Sequence, residues 1–261
     1  MTVTAPPLDR AQSQAGVHQW SPAEKGVLVR AACRSPYAEF ATPWSVDFDG
    51  ATAHVLQREH VRPVSHRDQM LACGAAGATL ATAFRILGWH AYPELLPNAL
   101  RPNIAVRLTA SKRHRITRRD IALYAAIFHA VPTREPQDIA ELPKSLTAEL
   151  LACSVAGCTS VEVVSAGSRE ARRASVDSGL LVCTADDTTR DHLAAGFLMQ
   201  ILRLIAGSRG WATHLVTGRF SADKARRHRL HTDDVPQLVL QVGPSPADES
   251  GANGDIPSAA R

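Results

Sequence analysis

The sequence has no CxxC pair, and its five cysteines (Cys33, Cys73, Cys153, Cys158 and Cys183) are odd in number and scattered. That argues against a disulfide framework and favours a reducing compartment, the cytoplasm. Metal-ligand spacings are scarce too: only His228-x-x-His231 and Cys153-x4-Cys158 qualify, and neither has a second ligand pair nearby. No basic segment followed by an apolar run opens the chain, so a signal peptide is not expected. Long apolar runs are missing as well. Met70–Trp89 approaches the length of a membrane span, but it is built from Ala, Gly and Thr and carries Arg85. A soluble protein is expected. The net charge of +4 is compatible with an anionic partner and equally with ordinary solubility. The densest basic run, SKRHRITRR (111–119), lacks aromatic residues for stacking on bases and reads as a solvated linker; ARRHRLH (225–231) reads as an exposed helix or loop.

What is present is a chain of 261 residues, 45% apolar, long enough to bury a sizeable core. Residues 1–20 and 244–261 are polar and rich in Pro, Gly and Ser, and are expected to be mobile. Between them, Ser21-Pro22-Ala23-Glu24 is a capping box opening a helix to about Ala32. Strands over 45–48 and 51–57 flank Asp49-Gly50, a hairpin signal. A helix over 68–87 stops at Gly88, and 103–109 alternates like a strand. The second round starts at the capping box Thr117–Asp120, with helices over 121–130 and 144–157 and strands over 159–166 and 179–185. Asp187-Thr188-Thr189 forms an N-cap cluster before a helix over 190–208, and 236–243 closes as a strand. N-capping also accounts for Asp186-Asp187 better than a catalytic carboxylate pair does, and no catalytic residue is assigned. Cys73 and Cys183 fall in apolar patterns, where a thiol acts as a small inert hydrophobe.

Two of these segments say nearly the same thing. Leu71–Trp89 (LACGAAGATLATAFRILGW) and Leu193–Trp211 (LAAGFLMQILRLIAGSRGW) align at a constant offset of 122 with six identities in nineteen positions. Each opens with Leu-Ala-x-Gly and closes on Gly-Trp. Cys73, Gly74, Gly77, Ala78, Ala81 and Phe84 form one stripe at helical spacing, as do Leu193, Gly196, Phe197, Gln200, Ile201 and Leu204. Glycine and alanine let another backbone approach closely. The expectation is an internal duplication, with the two helices packed as equivalents at the centre.

The run QMLACGAAGATLATAFRILGWHA resembles the "SCGAAL…ALAALGW" segment of the Acg-like nitroreductase-related family, which fuses two nitroreductase halves in one chain. RSPYAEFATPW (34–44) stands at its "APSxHNTQPW", and AAIFHAVPTREPQ (125–137) at its "AAIPRRRTDRRPF". TADDTTRDHLAAGFLMQILRLIAGSRGWATHL (184–215) and VPQLVLQVG (235–243) match two further family blocks. The resemblance implies an α+β sandwich of two pseudo-repeated halves (21–118 and 119–243), with central small-residue helices flanked by mixed or antiparallel sheet. It also implies FMN at the interface between halves and NAD(P)H as co-substrate, the flavin doing the redox chemistry on a small-molecule acceptor.

Carried over residue by residue, that site is altered. Phe40 and Thr42 stand where the family has the Asn and Gln near the flavin ring, with Pro43 and Trp44 unchanged. Of the phosphate-binding arginines only Arg134 remains, after Thr133 and beside Glu135. A family segment around 169–177, commonly a lid, is missing. The expected cofactor-binding residues are Arg34, Thr42, Trp44, Thr133 and Arg134. Two functions stand side by side: an FMN-dependent NAD(P)H oxidoreductase of nitroreductase type, and a catalytically inactive flavin binder or scaffold of the same fold. A basic nucleic-acid or anionic-surface binder trails both, no membrane association is expected, and the assembly is a monomeric pseudo-dimer or a homodimer.

Overall fold

The computed structural model describes residues 18–36, 42–58, 65–129, 142–155, 159–164, 179–216 and 234–244. Ser21 caps helix α1 (Pro22–Ala32): its side chain accepts from the Glu24 backbone N–H, and the Glu24 carboxylate accepts from that of Ser21. Strands β1 (Trp44–Asp49) and β2 (Thr52–Gln57) pair antiparallel around Gly50, whose φ of +53° the absence of a Cβ permits. Helix α2 (His66–Ile86) follows, capped by Ser65. Then come β3 (Trp89–Leu95) and β4 (Ile104–Arg113). Helices α3 (Arg118–Phe128) and α4 (Lys144–Leu151) lead to β5 (Thr159–Val164) and β6 (Gly179–Thr184). Helix α5 (Thr189–Ser208), β7 (Trp211–Val216) and β8 (Val235–Pro244) complete the described chain.

The strands form two antiparallel sheets with matching connectivity, β1-β2-β4-β3 and β5-β6-β8-β7. In each, the long helix enters after the second strand and leaves through a glycine of positive φ, Gly88 (+79°) or Gly210 (+81°), straight into a strand that begins with tryptophan. The Gly-Trp ends are therefore turns into strands β3 and β7, which alternation did not reveal. Both lie at a sheet edge, where Pro93 is tolerated because an outward N–H is not needed for the ladder. Strand β4 also runs four residues past the expected end, and α4 stops at Leu151 rather than 157.

Helix α2 packs on the first sheet, α5 on the second, and the two helices on each other. Their contacts advance together along both helices: His66 Nε2 meets Thr189 Oγ1 at 3.3 Å, Gly77 meets the Phe197 ring, and Thr79 meets Gln200. The closest approach is at the repeated glycines. A Cβ on Gly74 would overlap the Leu193 carbonyl oxygen and sit 2.8 Å from the Phe197 nitrogen; one on Gly196 would overlap the Leu71 carbonyl. One apolar stripe per helix is not enough for this position. Every residue of α2 from Met70 to Leu80 is buried: Ala72, Cys73, Ala76 and Leu80 in the first core, Leu71, Ala75 and Ala78 in the second. A helix between two sheets must be apolar all round. Burial pushes the thiols of Cys73 and Cys183 up to about 12, as expected of inert core cysteines.

The residues 111–119 are not a free linker. Ser111–Arg113 end β4, the Arg113 guanidinium lies 4.0 Å from the centre of the Trp89 ring, and His114 turns inward to Asp120. The run 225–231 and the terminal residues 1–17 and 245–261 lie outside the described residues. Among the described residues, no helix is long and apolar enough to cross a membrane.

The glycine contact has a direct check in chemical denaturation. Gly196→Ala should lose about 3 kcal/mol or more, since a backbone rather than a flexible side chain must give way. Gly26→Ala, on the exposed part of α1 with open space around it, should gain roughly 0.5–1 kcal/mol.

Candidate functional site

A small cleft forms where the C-terminal end of α3, the second half of α5 and strand β7 converge, with Arg34 reaching it from the turn after α1. Its polar lining among the described residues is Arg34, His129, Gln200, Arg203 and Thr213, beside Trp211. Behind it, the missing side chain of Gly207 lets α5 approach Ala126 of α3, its Cβ position lying 3.4 Å from that methyl. His129 ends α3, and its Nδ1 lies 2.8 Å from the Ala125 carbonyl oxygen. A carbonyl only accepts, so Nδ1 carries the proton and donates. Arg203 Nε donates to Thr213 Oγ1 at 3.3 Å, and Arg203 Nη1 reaches Gln200 Oε1 at 3.5 Å. Two guanidiniums, an imidazole and a hydroxyl are the kinds of donor that recognise an anion such as a phosphate monoester.

Of the residues expected from sequence, only Arg34 lines this cleft. Thr42 is half-buried, and Trp44 is buried in the first core at the start of β1; neither borders the cleft. Thr133 and Arg134 lie outside the described residues, four and five positions beyond His129. Gln200 entered the sequence reading only as a member of a helix stripe and Trp211 only as the end of a repeated segment, while Arg203 and Thr213 were not singled out. Their signal lay in the differences between the two similar segments: at the offset of 122, Gln200, Arg203 and Thr213 stand opposite Ala78, Ala81 and Ala91.

A second polar cluster gathers at the start of α5. The cap there is Thr188, whose hydroxyl accepts from the Asp191 backbone N–H while the Asp191 carboxylate returns the bond. Asp187 is therefore not the cap. Its Oδ1 lies 2.7 Å from His192 Nε2 and 3.4 Å from Gln237 Nε2, and Gln237 also donates to Thr184 Oγ1 at 2.8 Å. Arg67 of α2 donates to the Gln237 carbonyl. Burial opposes the charge on Asp187, but the hydrogen bonds from His192 and Gln237 outweigh it and hold the pKa low. These bonds tie α2, β6, β8 and α5 together, while His192 Nδ1 is buried with no hydrogen-bond partner among the described residues.

The third cluster ties the start of α3 to α2, to β3 and to the turn after β4. Asp120, nearly inaccessible, accepts from Thr117 Oγ1 at 2.6 Å and from His114 Nε2 at 2.8 Å, with Arg85 Nη1 at 3.6 Å. His114 Nδ1 faces His90 Nε2 at 3.1 Å. Desolvation pulls against ionisation of Asp120, yet the Thr117 and His114 hydrogen bonds hold its pKa at about 2. Among the described residues no group of three or more His, Cys, Asp or Glu side chains is placed to hold a metal.

No family model matches the chain, and no curated protein matches it. Among solved structures it is similar to a candidate NADH dehydrogenase/NAD(P)H nitroreductase from Bacteroides thetaiotaomicron, with a TM-score of 0.34 and 18% identity, over 46% of this chain and 87% of that one.

Asp120 supplies a pH-dependent check on the joint. Its folded pKa of about 2 lies below the ordinary 3.8, so its ionised form stabilises the fold above pH 4, by about 2 kcal/mol, and that contribution is lost as pH falls toward 2. Asp120→Asn should be less stable than the parent in urea at pH 7, and the gap should close as the pH is lowered from 4 to 2. A gap independent of pH would show that Asp120 acts through shape alone.

Proposed function

We propose that this chain is a flavin-binding protein of nitroreductase type, in which two pseudo-equivalent halves, 21–118 and 119–243, take the place of the two subunits of a dimer. The observation that carries the reading is a basic cleft lined by Arg34 of the first half and by His129, Arg203 and Thr213 of the second. Matching strand orders, the paired Gly88 and Gly210 turns and the reciprocal Gly74 and Gly196 contacts support the pseudo-equivalence.

The donor set fits the phosphate of FMN. Arg34 and Arg203 are guanidiniums, His129 offers a ring nitrogen and Thr213 a hydroxyl. The cleft is small, so it suits a phosphate better than it encloses a three-ring system. Bound FMN would accept hydride from NAD(P)H and pass electrons to a nitro or quinone acceptor, while the chain contributes position and charge. A second reading, a binder without turnover, is favoured by Phe40 and Thr42, which cannot supply the amide hydrogen bonds of the residues they replace. The free thiols suit a cytoplasmic protein.

Flavin titration tests the reading. Each missing charge-assisted contact costs about 1.5–3 kcal/mol, so FMN should bind in the roughly micromolar range, with its fluorescence quenched on binding. Arg34→Ala should weaken it about tenfold. A protein that takes up no added FMN ends the flavin reading. NAD(P)H oxidation with a nitroaromatic acceptor then separates enzyme from binder.

A further inference from the structure

The geometry of the His90–His114–Asp120 cluster limits how many protons it can hold. Asp120 is nearly inaccessible, and its pKa of about 2 keeps the carboxylate ionised above pH 4. It therefore accepts, and His114 Nε2, at 2.8 Å, carries a proton. The open choice lies at the other ring nitrogen. His114 Nδ1 faces His90 Nε2 at 3.1 Å, and one proton fits between them. With both rings neutral, His90 Nε2–H donates to Nδ1. With His114 charged, Nδ1–H donates to His90 Nε2, and the His90 proton sits on its own Nδ1. A second charge sets N–H against N–H and leaves no acceptor in the gap.

The surroundings oppose that second charge. Arg85 of α2 stands 3.6 Å from Asp120, and Lys112 of β4 lies opposite His90 in the strand register. Desolvation and the charges of His114, Arg85 and Lys112 pull the His90 pKa down, with Asp120 acting against them. Arg113 of β4 stacks on the Trp89 ring. His18 packs on that ring too, at 4.5 Å between centres, with Glu24 of α1 3.7 Å from its Nε2.

We propose that His90 and His114 form an acid-sensitive latch that fastens the start of edge strand β3 to the turn leading into α3, closed while at most one of the two rings is charged and open when both are. The backbone leaves this task to side chains. The β3–β4 register shifts between His90 and Ala91, so Ser111 has no opposite number and the ladder is interrupted there. Two other bonds remain when the latch opens: Ser111 Oγ to the His90 carbonyl at 3.3 Å, and the His114 N–H to the Gly88 carbonyl at 2.9 Å. Opening loosens the start of β3 and leaves α3 in place. Because the folded His90 pKa lies below the unfolded one, the folded state binds fewer protons, and the latch's stability declines as the pH falls from about 6.5. Loss of the Asp120 charge belongs to the separate range below pH 4. The latch lies apart from the cleft and does not rest on the flavin reading.

Hydrogen exchange along β3 in the full chain, corrected for the chemical exchange rate, tests it. Between pH 7 and pH 5 the parent's protection at the start of β3 should fall roughly three- to tenfold, the worth of one hydrogen bond. His90→Gln can donate to His114 Nδ1 or accept from it but takes no charge, so its protection should be the same at both pH values. His90→Ala, with no latch, should show the lower protection at both. An unchanged parent overturns the latch. So does an acid response that survives in His90→Gln, which leaves His18 in place and would assign the response to that ring. If His90→Gln folds poorly, the imidazole ¹⁵N titration of the parent decides: two steps about a unit or more apart for His90 and His114 sustain the latch, and coincident midpoints dismiss it.

Discussion

At Gly74 and Gly196 two helical backbones touch with no side chain between them, and the rest of the architecture is arranged around that contact. A carbonyl oxygen from each helix, Leu193 and Leu71, occupies the space where the other's Cβ would be. Such proximity strips both helices of a solvent face near the crossing. Each must then be apolar toward its own sheet and toward its partner, which explains why Met70–Leu80 of α2 and Asp191–Gln200 of α5 are buried without interruption. The two cores consequently meet across the helices: Leu193 of α5 packs in the first cluster, and Leu71 of α2 in the second.

Several polar groups in that interior are paired with one another. Thr79 and Gln200 satisfy one another, Asp191 and Thr188 close a capping box, and Gln237 spends its amide on Thr184 and Asp187. The positions of these groups follow a pattern. Caps and ties collect at the helix starts, where Arg67, Asp187 and His192 bind the N-terminal ends of α2 and α5 to the second sheet. Two cations, Arg34 and Arg203, line the cleft beside the C-terminal half of α5.

The two helices share the residues that their common geometry needs. Leu-Ala-x-Gly makes the close crossing, and Gly-Trp makes the turn into an edge strand. Elsewhere they differ: at the offset of 122 the first segment has alanine at 78, 81 and 91, and the second has glutamine, arginine and threonine at 200, 203 and 213.

Local rules in the sequence determined the helix starts, because Ser21, Thr117 and Thr188 need only a partner three residues on. They also determined the Asp49-Gly50 hairpin, the inner strands with their β-branched runs, and the close crossing of two Gly- and Ala-rich helices. Edge strands β3 and β7 escaped, since a half-buried strand with His, Tyr and Pro shows no alternation until a neighbour pairs with it. Tertiary structure alone decided the cleft. Arg34, His129 and Arg203 are separated by 95 and 74 positions along the chain, and no periodicity links residues that converge only after α1, α3 and α5 have packed. The inward turn of His114 within a basic run was likewise invisible, because charge patterning counts cations and cannot tell that one of them faces a buried carboxylate.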